Sequence, residues 1–210
     1  SCGWLKAETI SIVIPTNAAP RVKFGAEKLV EALKAVNLAA HIDSAWRFKK
    51  GEASIAVGYQ TNTPINRLVP SGHIHFLHGD PNGEGFAISS HGLGIIGITA
   101  NSDSGLLYGC LEMASRIRKA GKIPYSLDFT ENPTMKLRGT CIGLQKTYIL
   151  PGRHVYEYPI TPEVFPWVYD QKMWTDYVDF LFQNRMNSLY LWSGHPFASL
   201  VKLKDYPYAG

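Results

Sequence analysis

The chain has 210 residues, enough for one large or two small domains. Hydrophobic residues make up 45% of it and charged residues 18%, as is typical of a globular protein. The net charge of +4 is mild and scattered, which argues against a nucleic-acid groove, and the three widely spaced cysteines form neither a disulfide framework nor a zinc site.

The first part of the chain alternates strand and helix patterns. Residues 8–15 (ETISIVIP) alternate in polarity and are rich in β-branched side chains, which predicts a strand. A helix is predicted to begin at Pro20, because apolar residues then recur at spacings of three and four. Short apolar runs at 39–43 and 53–59 predict two further strands.

Three histidines lie in the stretch 65–83, which has no clear period: His73, His75 and His78. Residues two apart in a strand share a face, so His73 and His75 could chelate a metal ion. Apart from Asp80, no acidic or cysteine ligand stands at a telling spacing. The sequence therefore favours a polar edge strand, and neither a metal nor a cofactor is predicted.

A hairpin and a second helix follow. Residues 85–89 and 93–100 predict the two antiparallel strands of the hairpin. The helix after them is expected to take its cap from Asp103 or Ser104 and to end at Gly121. Together these parts predict an α/β fold in which helices pack on a small sheet.

The pattern changes after a proline-punctuated linker. Residues 137–142 predict a strand, 170–184 a helix and 188–192 a second strand. Strand, helix and strand in this order form a βαβ unit, which requires a parallel sheet. We therefore predict one domain over residues 1–133 and the beginning of a larger one over residues 134–210.

Four residues near these strands are candidate substrate-binding residues: Arg138, His154, Trp192 and His195. They lie at strand ends or in the loops that follow, where a barrel builds its active site. An arginine can present a forked donor to hydroxyls or a carboxylate, and a tryptophan can stack on a sugar. A structural arginine and a core tryptophan are the alternative, and the sequence leaves both interpretations open.

The stretch from EGFAIS through GIIGITA and SGLLYGCLEMASRI to the RG of MKLRGT resembles a known domain type. It is similar to the non-catalytic α/β domain before the barrel in family 20 β-N-acetylhexosaminidases. Related α-glucuronidases, α-N-acetylglucosaminidases and O-GlcNAcase-like enzymes have the same domain type. The resemblance implies such an accessory domain over residues 1–133, followed by the first βαβ unit of a (β/α)8 barrel.

The barrel portion keeps part of the hexosaminidase pattern. Arg138 matches an arginine that binds substrate hydroxyls, Arg153 and His154 echo an arginine–histidine pair, and His195 matches a histidine after the second strand. Gly143 stands where those enzymes have an aspartate, so a sister glycosidase family is implied as well as the hexosaminidases. Their catalytic Asp–Glu pair lies on the fourth barrel strand, which places the catalytic acid beyond residue 210.

The resemblance implies that the intact protein hydrolyses glycosidic bonds of an N-acetylhexosaminide or a uronide in an oligo- or polysaccharide, and that this chain alone is inactive. A saccharide is then the partner, with no nucleic acid and no membrane span. Because Cys2 fits the mature start of a bacterial lipoprotein, we expect a secreted, periplasmic or surface location. Two alternatives stay open: a carbohydrate-binding or surface protein without chemistry, and a self-contained α/β domain that binds a small molecule.

Overall fold

The computed structural model describes residues 9–44, 53–61, 83–91, 94–143, 162–163 and 165–192. The chain divides into two compact units, Ser1–Thr134 and Met135–Gly210, and each is described by itself. We call them unit 1 and unit 2. The predicted polar edge strand that contains His73, His75 and His78 lies outside the described residues.

Unit 1 is built on a six-stranded sheet. Its strands are β1 (Ile10–Val13), β2 (Ala40–Asp43), β3 (Ser54–Tyr59), β4 (Phe86–His91), β5 (Ile95–Ala100) and β6 (Asp128–Glu131). The spatial order is β2-β1-β3-β5-β4-β6; the first four are parallel, and β4 runs antiparallel to both of its neighbours. The predicted α/β class and the β4–β5 hairpin are confirmed, whereas β6 was not predicted.

Two helices of unit 1 are described, α1 (Pro20–Ala35) and α2 (Asp103–Ala120). Pro20 opens α1 as predicted, since its missing N–H would have no helical partner there. Helix α2 ends at Gly121, whose φ of 66° is the left-handed conformation that glycine adopts at little cost. The start of α1 and the end of α2 therefore follow from the local sequence.

The cap of α2 is Ser102, so the prediction of Asp103 or Ser104 was wrong. The Ser102 hydroxyl accepts the Gly105 N–H at 3.1 Å and itself donates to the Gly83 carbonyl at 2.9 Å. Because a hydroxyl both donates and accepts, Ser102 can satisfy the helix end and the incoming chain together. A carboxylate at this position could only accept.

One face of the sheet is apolar and carries both helices. Ile12, Ile55 and Ile98 lie on this face, and each is at most 1% exposed. A Cβ on Gly109 of α2 would lie 2.5 Å from the Ile98 Cγ2, and one on Gly25 of α1 would lie 3.0 Å from the Cys110 Cβ. Glycine at these positions lets α2 approach the sheet and the two helices approach each other.

The opposite face of the sheet carries small and hydroxyl side chains. Ser11 and Ser54 are register partners on this face, and Ser89 and Thr99 continue it across the hairpin. All four are at most 7% exposed. The central strands β1, β3, β4 and β5 are therefore buried on both faces, as is usual for strands inside an α/β sheet.

Unit 2 contains strands β7 (Gly139–Gly143) and β8 (Ser188–Trp192) and helix α3 (Gln171–Gln183), which a 3-10 helix precedes at Pro166–Tyr169. The two strands pair in parallel, so the predicted βαβ unit is confirmed. Tyr177 of α3 lies with its hydroxyl 2.6 Å from the Thr140 Oγ1 on β7, and Leu181 is buried. Helix α3 therefore contacts strand β7 through Tyr177.

In the part of the chain that the structure describes, no helix has the length and apolar character needed to cross a membrane.

Candidate functional site

The carboxyl ends of β7 and β8 lie side by side in unit 2. Gly139 pairs with Ser188 at the start of the strands, and Gly143 pairs with Trp192 at their end. In parallel α/β folds the loops after the strand carboxyl ends build the active site. We call this side of unit 2 the carboxyl edge; it is the candidate functional site.

Three predicted site residues stand at or after the ends of β7 and β8 in the sequence: Trp192, His154 and His195. The Trp192 backbone forms the last register pair of β8. The Trp192 side chain and all of His154 and His195 lie outside the described residues. Their roles as substrate-binding residues stay predictions.

Arg138 precedes β7 and thus lies at the opposite, amino edge of the strand pair. Its Nε donates to the Arg185 carbonyl at 2.9 Å, and its Nη1 donates to the Met135 carbonyl at 2.7 Å. The guanidinium therefore ties the turn between α3 and β8 to the segment that leads into β7. This geometry favours the structural alternative for Arg138; its predicted contact with substrate stays a prediction.

Asn187 and Gly139 complete the amino edge. The Asn187 amide accepts the Arg138 backbone N–H at 2.9 Å and donates to the Lys136 carbonyl at 2.7 Å. A Cβ on Gly139 would lie 1.9 Å from the Ser188 carbonyl oxygen, so only glycine permits this approach. The Arg-Gly pair that we singled out in the sequence thus has a local structural reason.

Polar side chains also meet at the end of β3 in unit 1. The Tyr59 hydroxyl donates to the Asp103 carboxylate, and the Arg21 Nη1 donates to the Ser104 hydroxyl at 2.7 Å. Burial, followed by the hydrogen bond to Asp103, raises the pKa of Tyr59 to about 12. These groups bond to one another and join β3, α1 and α2, which is a structural arrangement.

Replacing Tyr59 with phenylalanine is expected to destabilise unit 1 by about 1–2 kcal/mol at pH 8, because the Asp103 carboxylate loses its donor. A raised phenol pKa stabilises the fold while the phenol is neutral in both states. That contribution is present below about pH 10 and is lost as the pH rises towards 12. The difference in Tm between the wild type and Tyr59→Phe should therefore shrink from pH 8 to pH 11.

Tyr190→Phe is the control, since the Tyr190 side chain is 62% exposed and belongs to unit 2. It should unfold like the wild type at both pH values. A Tyr59→Phe deficit that is the same at pH 8 and pH 11 would contradict the proposed coupling between Tyr59 and Asp103.

A cluster of three or more metal-ligating side chains does not occur among the residues described. The polar side chains at the end of β3 and those at the amino edge of unit 2 all form hydrogen bonds within the protein. The described part of the candidate site is therefore a scaffold. It consists of the parallel pair of β7 and β8, whose register aligns the carboxyl ends of the two strands.

The chain was compared with solved protein structures, and those it matches include glycoside hydrolases. A GH138 enzyme targeting pectin rhamnogalacturonan II matches 95% of the chain at 38% sequence identity, with a TM-score of 0.73. The fold is shared with glycoside hydrolases. The match covers 26% of the GH138 enzyme, so the chain spans about a quarter of that enzyme's length.

Two other glycoside hydrolase families share the fold at lower identity. A family GH115 4-O-methyl-α-glucuronidase with specificity for decorated arabinogalactans is 17% identical to the chain, with a TM-score of 0.62. The match covers 89% of the chain and 25% of the length of that enzyme. The GH84 protein CpGH84D matches 90% of the chain and 28% of its own, at 13% identity and a TM-score of 0.53. The predicted resemblance to this group of enzymes is confirmed.

The sequence motifs had emphasised family 20, and enzymes of that family also match the chain. A Streptomyces coelicolor β-N-acetylhexosaminidase of that family is 16% identical to it. Neither a protein-family model nor a curated protein sequence matches the chain.

Proposed function

We propose that the intact protein is a glycoside hydrolase that acts on a pectic polysaccharide. The observation that carries this proposal is the 38% identity to an enzyme targeting pectin rhamnogalacturonan II, maintained across 95% of the chain. The sequence motifs left two substrate branches, an N-acetylhexosaminide and a uronide. Since pectin is built largely on galacturonic acid, the uronide branch is the one we propose.

In this proposal unit 1 is the accessory domain and unit 2 provides the first βαβ unit of the catalytic barrel. The parallel pairing of β7 with β8 supports this assignment, because parallel strands joined through a helix are the repeating element of such barrels. The chain covers only about a quarter of the GH138 enzyme, in keeping with a barrel completed by further strands.

The carboxyl edge of β7 and β8 would form part of the sugar site. Trp192 would stack on a sugar ring, while His154 and His195 would hydrogen-bond to its hydroxyls or carboxylate. A carboxylic acid outside this chain would protonate the glycosidic oxygen as the bond breaks. Arg138 would hold the amino edge of the strand pair, and the chain by itself would be inactive.

A polymeric plant substrate does not enter cells, which supports the proposed secreted, periplasmic or surface location. The proposal assigns the protein no nucleic-acid partner.

The proposal is tested by assaying the full-length protein on rhamnogalacturonan II and on aryl glycosides, with the 210-residue chain as the matched control. We expect sugar release by the full-length protein and none by the chain alone. Absence of hydrolysis of every uronide, hexoside and N-acetylhexosaminide would contradict the enzyme assignment. Saccharide binding without turnover would instead identify a non-catalytic carbohydrate-binding protein.

A further inference from the structure

Three aromatic residues lie close together in the chain at the start of α3, and we call them the aromatic platform: Trp167, Tyr169 and Trp174. The rings of Trp167 and Trp174 lie with their centroids 5.9 Å apart at an angle of 44°. Tyr169 is 55% exposed, and both tryptophans are partly exposed. Large rings that stay in contact with water in this way are available to a ligand.

The platform is held in place by hydrogen bonds. The indole Nε1 of Trp174 donates to the Val168 carbonyl at 2.7 Å, which fixes the ring against the 3-10 helix. The Asp170 carboxylate accepts the Met173 N–H at 3.1 Å and so caps α3 between the two tryptophans. A surface that is already ordered costs little conformational entropy when a ligand binds to it.

The topology of unit 2 places the platform at the carboxyl edge. Strand β7 leads into α3 and α3 leads into β8, and the two strands are parallel. Because α3 ends at Gln183, shortly before β8 begins at Ser188, and its Tyr177 hydroxyl contacts Thr140 on β7, the helix runs back along the strands and starts towards the carboxyl edge. The platform thus lies on the side of unit 2 on which a barrel builds its substrate site.

We propose that the aromatic platform is an accessory saccharide subsite, which binds a sugar residue of the polymer next to the one that is cleaved. This inference rests on the proposed glycoside hydrolase function and names an additional part of its substrate site. The C–H face of a pyranose ring is apolar and stacks on an aromatic ring, while its hydroxyl groups stay in water. Phe180, further along α3, is 52% exposed but lies towards the amino edge, so it is not part of the platform.

The experiment uses the full-length protein with Trp167→Leu and Tyr169→Leu, which remove the flat ring and keep an apolar side chain. Phe180→Leu is the control, since it makes the same kind of change at an exposed ring on α3, outside the 3-10 helix that carries Trp167 and Tyr169. For each variant kcat/KM is measured on rhamnogalacturonan II oligosaccharides and on an aryl monosaccharide glycoside. We expect the kcat/KM on the oligosaccharides, divided by the kcat/KM on the monosaccharide glycoside, to fall roughly tenfold for each platform variant. This ratio should stay at the wild-type value for Phe180→Leu.

An unchanged ratio in both platform variants would overturn the subsite. If the Tm of these variants also falls, the platform is a packing surface for the rest of a barrel.

Failure of the proposed function is distinguishable, since the wild type itself would then show no turnover. In that case the same variants are compared by affinity electrophoresis in gels that contain pectin. Retardation of the wild type that is weakened by Trp167→Leu and kept by Phe180→Leu supports the subsite. Equal migration of all three proteins overturns it.

Discussion

Replacing Gly105 with alanine is expected to destabilise unit 1 by about 2 kcal/mol and to lower its Tm by about 5–10 °C. An added Cβ would lie 2.4 Å from the Gly85 carbonyl oxygen and 2.7 Å from the Ala100 Cβ. Both neighbours belong to the backbone or are fixed to it, so the helix must move away from the sheet. Alanine's better helix propensity offsets at most about 1 kcal/mol of this cost.

Gly121→Asn is the matched control, since it changes a glycine at the other end of the same helix. A Cβ there would meet no atom within 4 Å, and asparagine tolerates the φ of 66°. Thermal unfolding followed by circular dichroism should show a small loss for Gly121→Asn and a much larger one for Gly105→Ala. If the two variants unfold at the same temperature, the close approach of α2 to Gly85 and Ala100 does not require glycine at position 105.

The second large effect is expected at the amino edge of unit 2, where Arg138→Ala should lower stability by about 1–3 kcal/mol. The guanidinium donates to the carbonyls of Met135 and Arg185, and alanine removes both hydrogen bonds. Arg138→Lys should recover little of the loss, because an ammonium group cannot reproduce the fork of an arginine. The measurement is the Tm of the full-length protein, with the exposed Lys136→Ala as the control.

A contact between Arg138 and substrate makes the opposite prediction. The Tm of Arg138→Ala would then equal that of the wild type, while kcat/KM would fall. A double-mutant cycle with Asn187→Ala separates the two cases further, because the Arg138 guanidinium and the Asn187 amide both join the turn before β8 to the segment that leads into β7. Residues that share one network give a non-additive loss of stability.

Much of unit 1 could be predicted from its sequence because the signals there are local. The hairpin of β4 and β5 follows from two short apolar runs that flank a Gly turn, and Pro20 and Gly121 mark helix ends through their own backbone preferences. Strand β6 was missed, because its four residues (DFTE) carry no period and pair only with β4. An edge strand of this kind is defined by its neighbour.

The candidate site was predictable only in part. The parallel pairing of β7 and β8 followed from the order strand, helix, strand. The hydrogen bond between Arg138 and the Arg185 carbonyl joins residues far apart in sequence, and a backbone acceptor leaves no trace in residue identity. The Arg-Gly pair was therefore singled out correctly as a feature, while its hydrogen bonds could be known only from the fold.

The order of strands in the six-stranded sheet also matters during synthesis. Every strand of that sheet finds its partners within residues 10–131, so the whole sheet can assemble as soon as β6 has left the ribosome. Among the described residues β7 pairs only with β8, so this pair forms only after Ser188 and the residues that follow it have been synthesised. A nascent chain would thus carry an already folded unit 1 ahead of a strand that has yet to pair with β8.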